Sequence, residues 1–304
     1  MKAKSVINAT GVFVDDILKM DNPIAKALVR PSQGVHLVID KSFLAGNSAM
    51  LIPKTADGRV LFVVPWYDHL VVGTTDTPLN SHAEEPIALE TEIKFILDTV
   101  AQYLERPPAR KDVLSVFAGL RPLAAPKEGS ASTKELSRDH KLIVSASGLV
   151  TITGGKWTTY RKMAAETVDL VQKNNGGDKQ TSDTRNIALH GSRPPSVSHL
   201  SAYGTDEDLI MTLVGEQPEL KNALVNGHGY TLAQVVWAVR SEMAVTVEDV
   251  LARRLRLLFL DASAAISAAP VVARVMQREL GWDDTQKEEQ LESFYKIAYH
   301  YKIN

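Results

Sequence analysis

Cysteine is missing from this chain of 304 residues, which excludes disulfides, thiolate metal sites, iron–sulfur clusters and any cysteinyl link to a cofactor. An excess of charge of one sign is missing as well: 34 lysines and arginines stand against 36 acids, a formal net of −2. Nothing in that balance draws the chain as a whole to nucleic acid. No apolar run is long enough for a bilayer, since the most apolar late stretch, residues 257–275, is interrupted by Asp261 and Pro270. The amino terminus lacks a charged-then-apolar signal pattern. The 8 histidines are scattered, with no HxH or HxxxH pair beside a carboxylate, so no metal site is expected. No GxSxG elbow supports serine hydrolysis. None of the 18 glycines falls in GxGxxG spacing, and Gly227-His228-Gly229 is the one GxG, far downstream in helical surroundings.

What is present is enough to bury a substantial core, and 44% hydrophobic residues over this length predict two units rather than one. From residue 34 to about 79 the chain runs in short extended pieces, VHLVID, AMLIP, RVLFVVPW and HLVVGTT, which are expected to pair as antiparallel strands. Thr55-Ala56-Asp57-Gly58 supplies a hairpin turn between them. Ile93, Ile96, Leu97, Val100 and Leu104 then fall at helical spacing until Pro107-Pro108 stops the run. Residues 113–125 return to strand character, residues 127–139 form a polar loop, and KLIVSAS with LVTIT make a hairpin-like pair. A polar run over residues 174–186 and the link Arg193-Pro194-Pro195 mark a boundary, beyond which everything reads as helix. The opening TDED of residues 205–208 is a helix start, and residues 232–260 keep helical spacing over a long span. Asp249 and Arg253 are set for an i,i+4 pair. Arg253, Arg254 and Arg256 are expected on a solvated face, because Leu255, Leu257 and Leu258 interleave as core.

The most informative motif is Gly154-Gly155-Lys156-Trp157-Thr158-Thr159-Tyr160-Arg161-Lys162, which follows the extended run of residues 149–153. It predicts a strand, a tight turn and a helix start, where backbone amides and the helix dipole favour an anionic or polar cofactor edge. A plain glycine turn with a threonine N-cap is the alternative. SVINATG, residues 5–11, reads as a buried strand with an open carboxyl end, the place where ligands collect in open α/β sheets.

These segments resemble the FAD-dependent glycerol-3-phosphate dehydrogenases of the aerobic, quinone-linked type. The resemblance rests on VINATGVFVDD from Val6, SQGVHLVID from Ser32, VGTTDTPL from Val72, AGLRPL from Ala118, SRDH from Ser137, GGKWTTYRK from Gly154 and VRSEMAVTVEDVLARRLRLLFLD from Val239. It implies a mixed α+β and α/β fold: an antiparallel substrate-binding sheet and the remaining part of a Rossmann-like FAD domain over residues 1–185, then an all-α carboxyl-terminal domain over residues 186–304. Members of the family begin with the strand, GxGxxG turn and helix that this sequence lacks. The chain is therefore expected to be the later portion of a longer flavoprotein, and to be inactive or nearly so alone.

The resemblance also assigns roles. His36 is the best available proton acceptor, imidazole titrating nearest neutral pH, although a histidine at a strand start also serves as a structural hydrogen-bonder. Arg121, between Leu120 and Pro122-Leu123, needs an anion in such apolar surroundings. That anion is either a structural carboxylate or a ligand, and the resemblance favours the substrate phosphate or developing alkoxide, with Lys156 as second cation. Arg138 and Thr75 complete the implied substrate set. Thr10, Gly11, Gly154, Gly155, Lys156, Thr158 and Thr159 are assigned to FAD, the cofactor of the full-length protein. The implied partners are glycerol 3-phosphate and a quinone acceptor, with room for peripheral membrane contact and a homo-oligomer. Localisation is expected in the cytoplasm or on the inner face of the membrane. An oxidase handing electrons to oxygen and a non-catalytic substrate-domain scaffold are the competing readings.

Overall fold

The computed structural model describes residues 2–55, 58–124, 140–177, 180, 182–196 and 198–303. The expected loop at 127–139, with Arg138 in it, and the turn residues Ala56 and Asp57 lie outside the described residues. In chain order the strands are β1 (Ile7–Asn8), β2 (Val29–Asp40), β3 (Met50–Ile52), β4 (Leu61–Trp66), β5 (His69–Gly73), β6 (Thr77–Pro78), β7 (Val113–Ala124), β8 (Lys141–Val144) and β9 (Val150–Thr153). The α-helices are α1 (Val14–Asp21), α2 (Glu90–Val100), α3 (Tyr160–Asn174), α4 (Glu207–Glu216), α5 (Leu232–Ser241), α6 (Leu257–Leu260), α7 (Ala262–Leu280) and α8 (Asp284–Ala298). Residues cluster into two interleaved units, the first made of 1–34, 75–86 and 118–187 and the second of 35–74, 87–117 and 188–304. The last crossing, between residues 187 and 188, lies between the polar run of residues 174–186 and the link at residues 193–195.

In the first unit a three-stranded sheet has the order β1-β9-β8. β1 and β9 run parallel, with Ile7 opposite Val150 and Asn8 opposite Thr151, while β8 and β9 form an antiparallel hairpin. The expectation of a buried strand at SVINATG is corrected here. Val6 is 57% and Ile7 42% exposed, and only Asn8 is buried, because β1 is an edge strand with a neighbour on one side among the described residues. β6 joins the start of β2, Ser32 facing Pro78 and Gln33 facing Thr77.

In the second unit β3, β4, β5 and the later part of β2 pair antiparallel in that order, as the alternating apolar pieces predict. β7 also pairs with β2. In α2 the residues Ile93, Ile96 and Val100 are buried on one face, and the Glu92 side chain caps the helix by accepting from the Leu89 amide at 3.0 Å. The carboxyl-terminal helices bury a continuous apolar cluster through α5, α7 and α8, with Ala265, Ala268, Ala269 and Ala273 along α7.

The long helical span expected over residues 232–260 is broken. α5 stops at Ser241, Met243 takes a left-handed φ of 58°, residues Asp249–Arg254 form a π-helical turn, and Arg256, also left-handed at φ 61°, precedes α6. Side chains build the break: the Asp249 carboxylate accepts from the Val245 and Thr246 amides at 3.1 and 3.0 Å, and Arg254 reaches back to the Glu242 carbonyl. The Asp249–Arg253 pair forms at 3.2 Å, and Leu255, Leu257 and Leu258 are buried. Asp261 caps α7 and Pro270 lies inside it. Among the described residues no helix is long and apolar enough to cross a membrane.

Candidate active site

The parallel pairing of β1 and β9 brings two of the predicted segments together. Both strands end side by side, β1 running on to Thr10-Gly11 and then α1, β9 to Gly154-Gly155 and then α3. Gly154 and Gly155 take φ of 73° and 79°, the left-handed region that a side chain resists. A Cβ on Gly155 would stand 2.6 Å from Met163 Sδ. Thr10 is pinned from below: its hydroxyl donates to Asn8 Oδ1 at 2.7 Å, while the Asn8 amide donates to the Val14 carbonyl at 2.9 Å. Thr159 turns its hydroxyl back into its own turn, accepting from the Lys156 amide at 3.3 Å and donating to the Lys156 carbonyl at 2.9 Å. Lys156 and Thr158 are exposed. Beside them Trp157, 86% exposed, stacks on Tyr160 at 5.4 Å.

On β9 itself, Thr151 Oγ1 and Thr153 Oγ1 are buried with no hydrogen-bond partner among the described residues. Two residues apart, they share one face of the strand. Buried unpartnered hydroxyls are costly, and these stand where the strand meets the glycine turn. His140 Nε2 lies 2.6 Å from Glu166 Oε2, and that hydrogen bond, with Lys162 adding to it, holds the Glu166 carboxyl below the usual carboxylate range.

Arg121 is held against the backbone of Gly34. A Cβ at that position would stand 2.5 Å from Arg121 Nη1 and 2.6 Å from Cζ, so the guanidinium occupies the space that any other residue would fill. Nη1 donates to the Thr75 carbonyl at 3.1 Å and stands 3.6 Å from Asp76 Oδ1. Asp76 in turn accepts from the Ser32 hydroxyl. Thr75 thus contributes its carbonyl, and its side chain is buried. The structural carboxylate that the sequence left open as a partner for Arg121 is Asp76, whose Oδ1 stands 3.6 Å from Nη1.

His36, in the second unit, stacks on Phe117 with ring centroids 5.3 Å apart and planes at 19°. Its cross-strand neighbour is Gly73, where a Cβ would stand 2.5 Å from His36 Cδ2. The imidazole is therefore confined between a ring and a bare backbone. Asp76 was expected, with Thr75, to orient the site by hydrogen bonds, whereas Ser32, Gly34, Gly73 and Phe117 were not reached as site residues from the sequence.

In the first unit, a two-strand end with paired glycine turns, buried hydroxyls and a confined cation has the features of a cofactor-dependent oxidoreductase. The family comparison agrees: the model described as FAD dependent oxidoreductase matches residues 1–161, and the chain belongs to that family. The model described as C-terminal domain of alpha-glycerophosphate oxidase matches residues 149–287. The chain is similar to the mitochondrial glycerol-3-phosphate dehydrogenases of Bos taurus and Homo sapiens, each 39% identical over 324 residues and covering 99% of this chain and 44% of theirs. A probable mitochondrial glycerol-3-phosphate dehydrogenase of Dictyostelium discoideum is 36% identical, with 96% and 49% covered. Among solved structures, the glycerol-3-phosphate dehydrogenase from Bacillus halodurans complexed with FAD superposes with a TM-score of 0.81 at 26% identity, over 99% of this chain and 63% of that one. The chain thus spans about half the length of the curated relatives it matches.

Proposed function

We propose that this chain is the substrate-binding and carboxyl-terminal portion of an FAD-dependent glycerol-3-phosphate dehydrogenase, with the all-helical domain beginning near residue 186. The observation that carries the reading is Arg121, whose guanidinium is set on Gly34 and donates to the Thr75 carbonyl. A cation held in a fixed position suits a phosphate or a developing alkoxide.

The residues present fit one edge of FAD. Thr10 and Gly11 at the end of β1, and Gly154, Gly155 and Thr158 after β9, would hold it, with Thr153 Oγ1 a buried hydroxyl in want of a partner. Thr159 would serve through its backbone, since its hydroxyl closes the turn. FAD, when bound, supplies the acceptor for the hydride leaving C2 of glycerol 3-phosphate. The chain supplies the rest. His36 takes the C2 hydroxyl proton, Arg121 and Lys156 carry the anionic charge, and dihydroxyacetone phosphate is the product. Arg138 is proposed as a further phosphate contact from its place in SRDH. A quinone is the proposed final acceptor. Oxygen is the second reading, favoured by the match of residues 149–287 to an oxidase domain.

The test is anaerobic addition of glycerol 3-phosphate to the flavin-loaded protein that carries this chain. The flavin bands should bleach, and then recover with a soluble quinone. Recovery with oxygen at equal rate and peroxide release would favour the oxidase. Bound flavin that does not bleach would leave only the scaffold.

A further inference from the structure

Helix α6 meets β7 at two consecutive residues. Ser115 and Phe117 lie on one face of that strand. The Ser115 hydroxyl, fully buried, donates to the Leu258 carbonyl at 2.8 Å. Phe117 meets the next residue, Phe259 of α6, edge to face with centroids 5.1 Å apart and planes at 80°. Phe259 is held in turn by Tyr301, at 5.4 Å and 89°, from the last turn of the chain. Phe117 also carries the stacked ring of His36. Four rings, His36, Phe117, Phe259 and Tyr301, thus form one continuous ladder from the proton-acceptor position to the end of the helical domain, all within the second unit.

Each contact is of a kind with directional preference, edge-to-face and offset-stacked pairs being favoured over other ring arrangements. Phe117 touches both rings, so a change in its plane is passed to His36. Gly73, the cross-strand neighbour of His36, offers no side chain, so the ladder contributes the ring contact that bears on the imidazole's tilt. The left-handed Arg256 and the Asp261 cap bracket α6 and fix where Phe259 projects.

We propose that the carboxyl-terminal helical domain is a positioning element for the reaction, acting through Phe259 and Tyr301 on the ring of His36. The inference rests on the reading of His36 as proton acceptor, and a lever of this kind matters because displacements near 1 Å at a reacting group cost up to about a hundredfold in rate.

Phe259→Leu and Tyr301→Leu test it, with Tyr301→Phe as the variant that keeps the ring. The readouts are the His36 imidazole resonances, assigned by comparison with His36→Gln, and the split of kcat from KM in glycerol 3-phosphate oxidation by the flavin-loaded protein. Phe259→Leu should shift the His36 resonances and lower kcat roughly ten- to a hundredfold with KM little changed. Tyr301→Leu should do the same to a smaller degree, and Tyr301→Phe should restore both. Should Phe259→Leu fail to fold, the Tyr301 pair, at the end of the chain, carries the test alone. Unmoved His36 resonances and unchanged kcat in a folded Leu variant would overturn the proposal, as would a Tyr301→Phe variant no better than Tyr301→Leu. A wild-type protein that binds flavin but does not turn over glycerol 3-phosphate refutes the functional reading instead, while the resonance shifts still decide the ladder.

Discussion

Gly34→Ala separates function from folding at the Arg121 site. The added methyl would start 2.2 Å from Nη2, and an ordinary contact begins near 3.4 Å, so the guanidinium must withdraw by about 1.2 Å. Arg121 can do so by rotating its own side chain, since the three nearest atoms to the methyl all belong to that flexible end. With substrate phosphate about 2.9 Å away before the change, the withdrawal weakens the Coulomb attraction by about 1.7 kcal/mol at an effective dielectric near 20. Loss of a hydrogen bond to a charged group, about 1.5–3 kcal/mol, bounds the effect from above. kcat/KM for glycerol 3-phosphate should therefore fall about ten- to a hundredfold. Stability should hardly move. Losing the bond to the Thr75 carbonyl costs about 1 kcal/mol, and replacing a glycine that sits in a strand without left-handed φ returns about 0.4–1 kcal/mol through the unfolded chain. Gly73→Ala is the contrasting control, because there the methyl would meet the Val35 carbonyl oxygen at 2.8 Å as well as the His36 ring. Backbone cannot rotate away, so that variant should lose about 1–3 kcal/mol of stability. Steady-state kinetics of the flavin-loaded protein beside thermal melts reads both. A folded Gly34→Ala variant with wild-type kcat/KM would refute the placement of Arg121 against substrate.

Arg121→Met should cost on the order of 3 kcal/mol, about a hundredfold in kcat/KM, with little loss of melting temperature, because the Asp76 carboxylate keeps the Ser32 hydroxyl; a large melting loss with near-normal kcat/KM would make Arg121 structural. Burial raises the pKa of Glu242 despite the nearby Arg254, with Asp206 adding to the rise. A carboxyl whose folded pKa lies above its unfolded value loses stability as pH climbs through that window, so Glu242→Gln should stabilise at pH 7 by less than about 1 kcal/mol and lose the advantage below about pH 4; equal gains at both pH values in denaturant melts would contradict this. Limited trypsin digestion should cut first at Arg185, in the exposed stretch of residues 182–190, and hardly at all after Arg193, since the Pro194 that follows it blocks tryptic cleavage. First cuts within residues 232–260 would show that the helical unit is loose.

Local pattern made some of this legible. Strands at 35–73 are short runs rich in valine, isoleucine and leucine separated by Gly, Asn, Asp and Pro, a pattern visible without knowing any partner. The glycine turn after residue 153 was visible for the same reason, the conformational demand being local. Arg121 was legible through energetics, because a guanidinium among Leu120, Pro122 and Leu123 requires an anion or carbonyl, and Thr75 with Asp76 answers that requirement. The breaks at Met243 and Arg256 were not legible. Val247, Val250, Leu251 and Leu255 remain buried through the π-helical turn, so the hydrophobic spacing reads straight across a backbone that is interrupted. Ile7 failed in the opposite way, its β-branched run signalling a strand while giving no sign of which neighbours cover it.

The supports of the site were hidden for a deeper reason. Each depends on one side chain occupying space that another position leaves empty, and emptiness has no sequence periodicity. Glycine within a strand weakens it, since it brings backbone entropy and no side chain to pack. At Gly34 and Gly73 that deficit is filled from elsewhere, by the guanidinium of Arg121 and the imidazole of His36. Each polar group then rests on peptide planes rather than on flexible neighbours, which fixes its height above the strand while leaving its edge to the ladder of rings or to the Thr75 carbonyl. The two glycines are not equivalent in this respect. The nearest atoms that a side chain at Gly34 would meet all belong to the mobile tip of Arg121, so its substitution should be felt in substrate recognition, whereas Gly73 also faces main chain, so its substitution should be felt in folding before it is felt in chemistry.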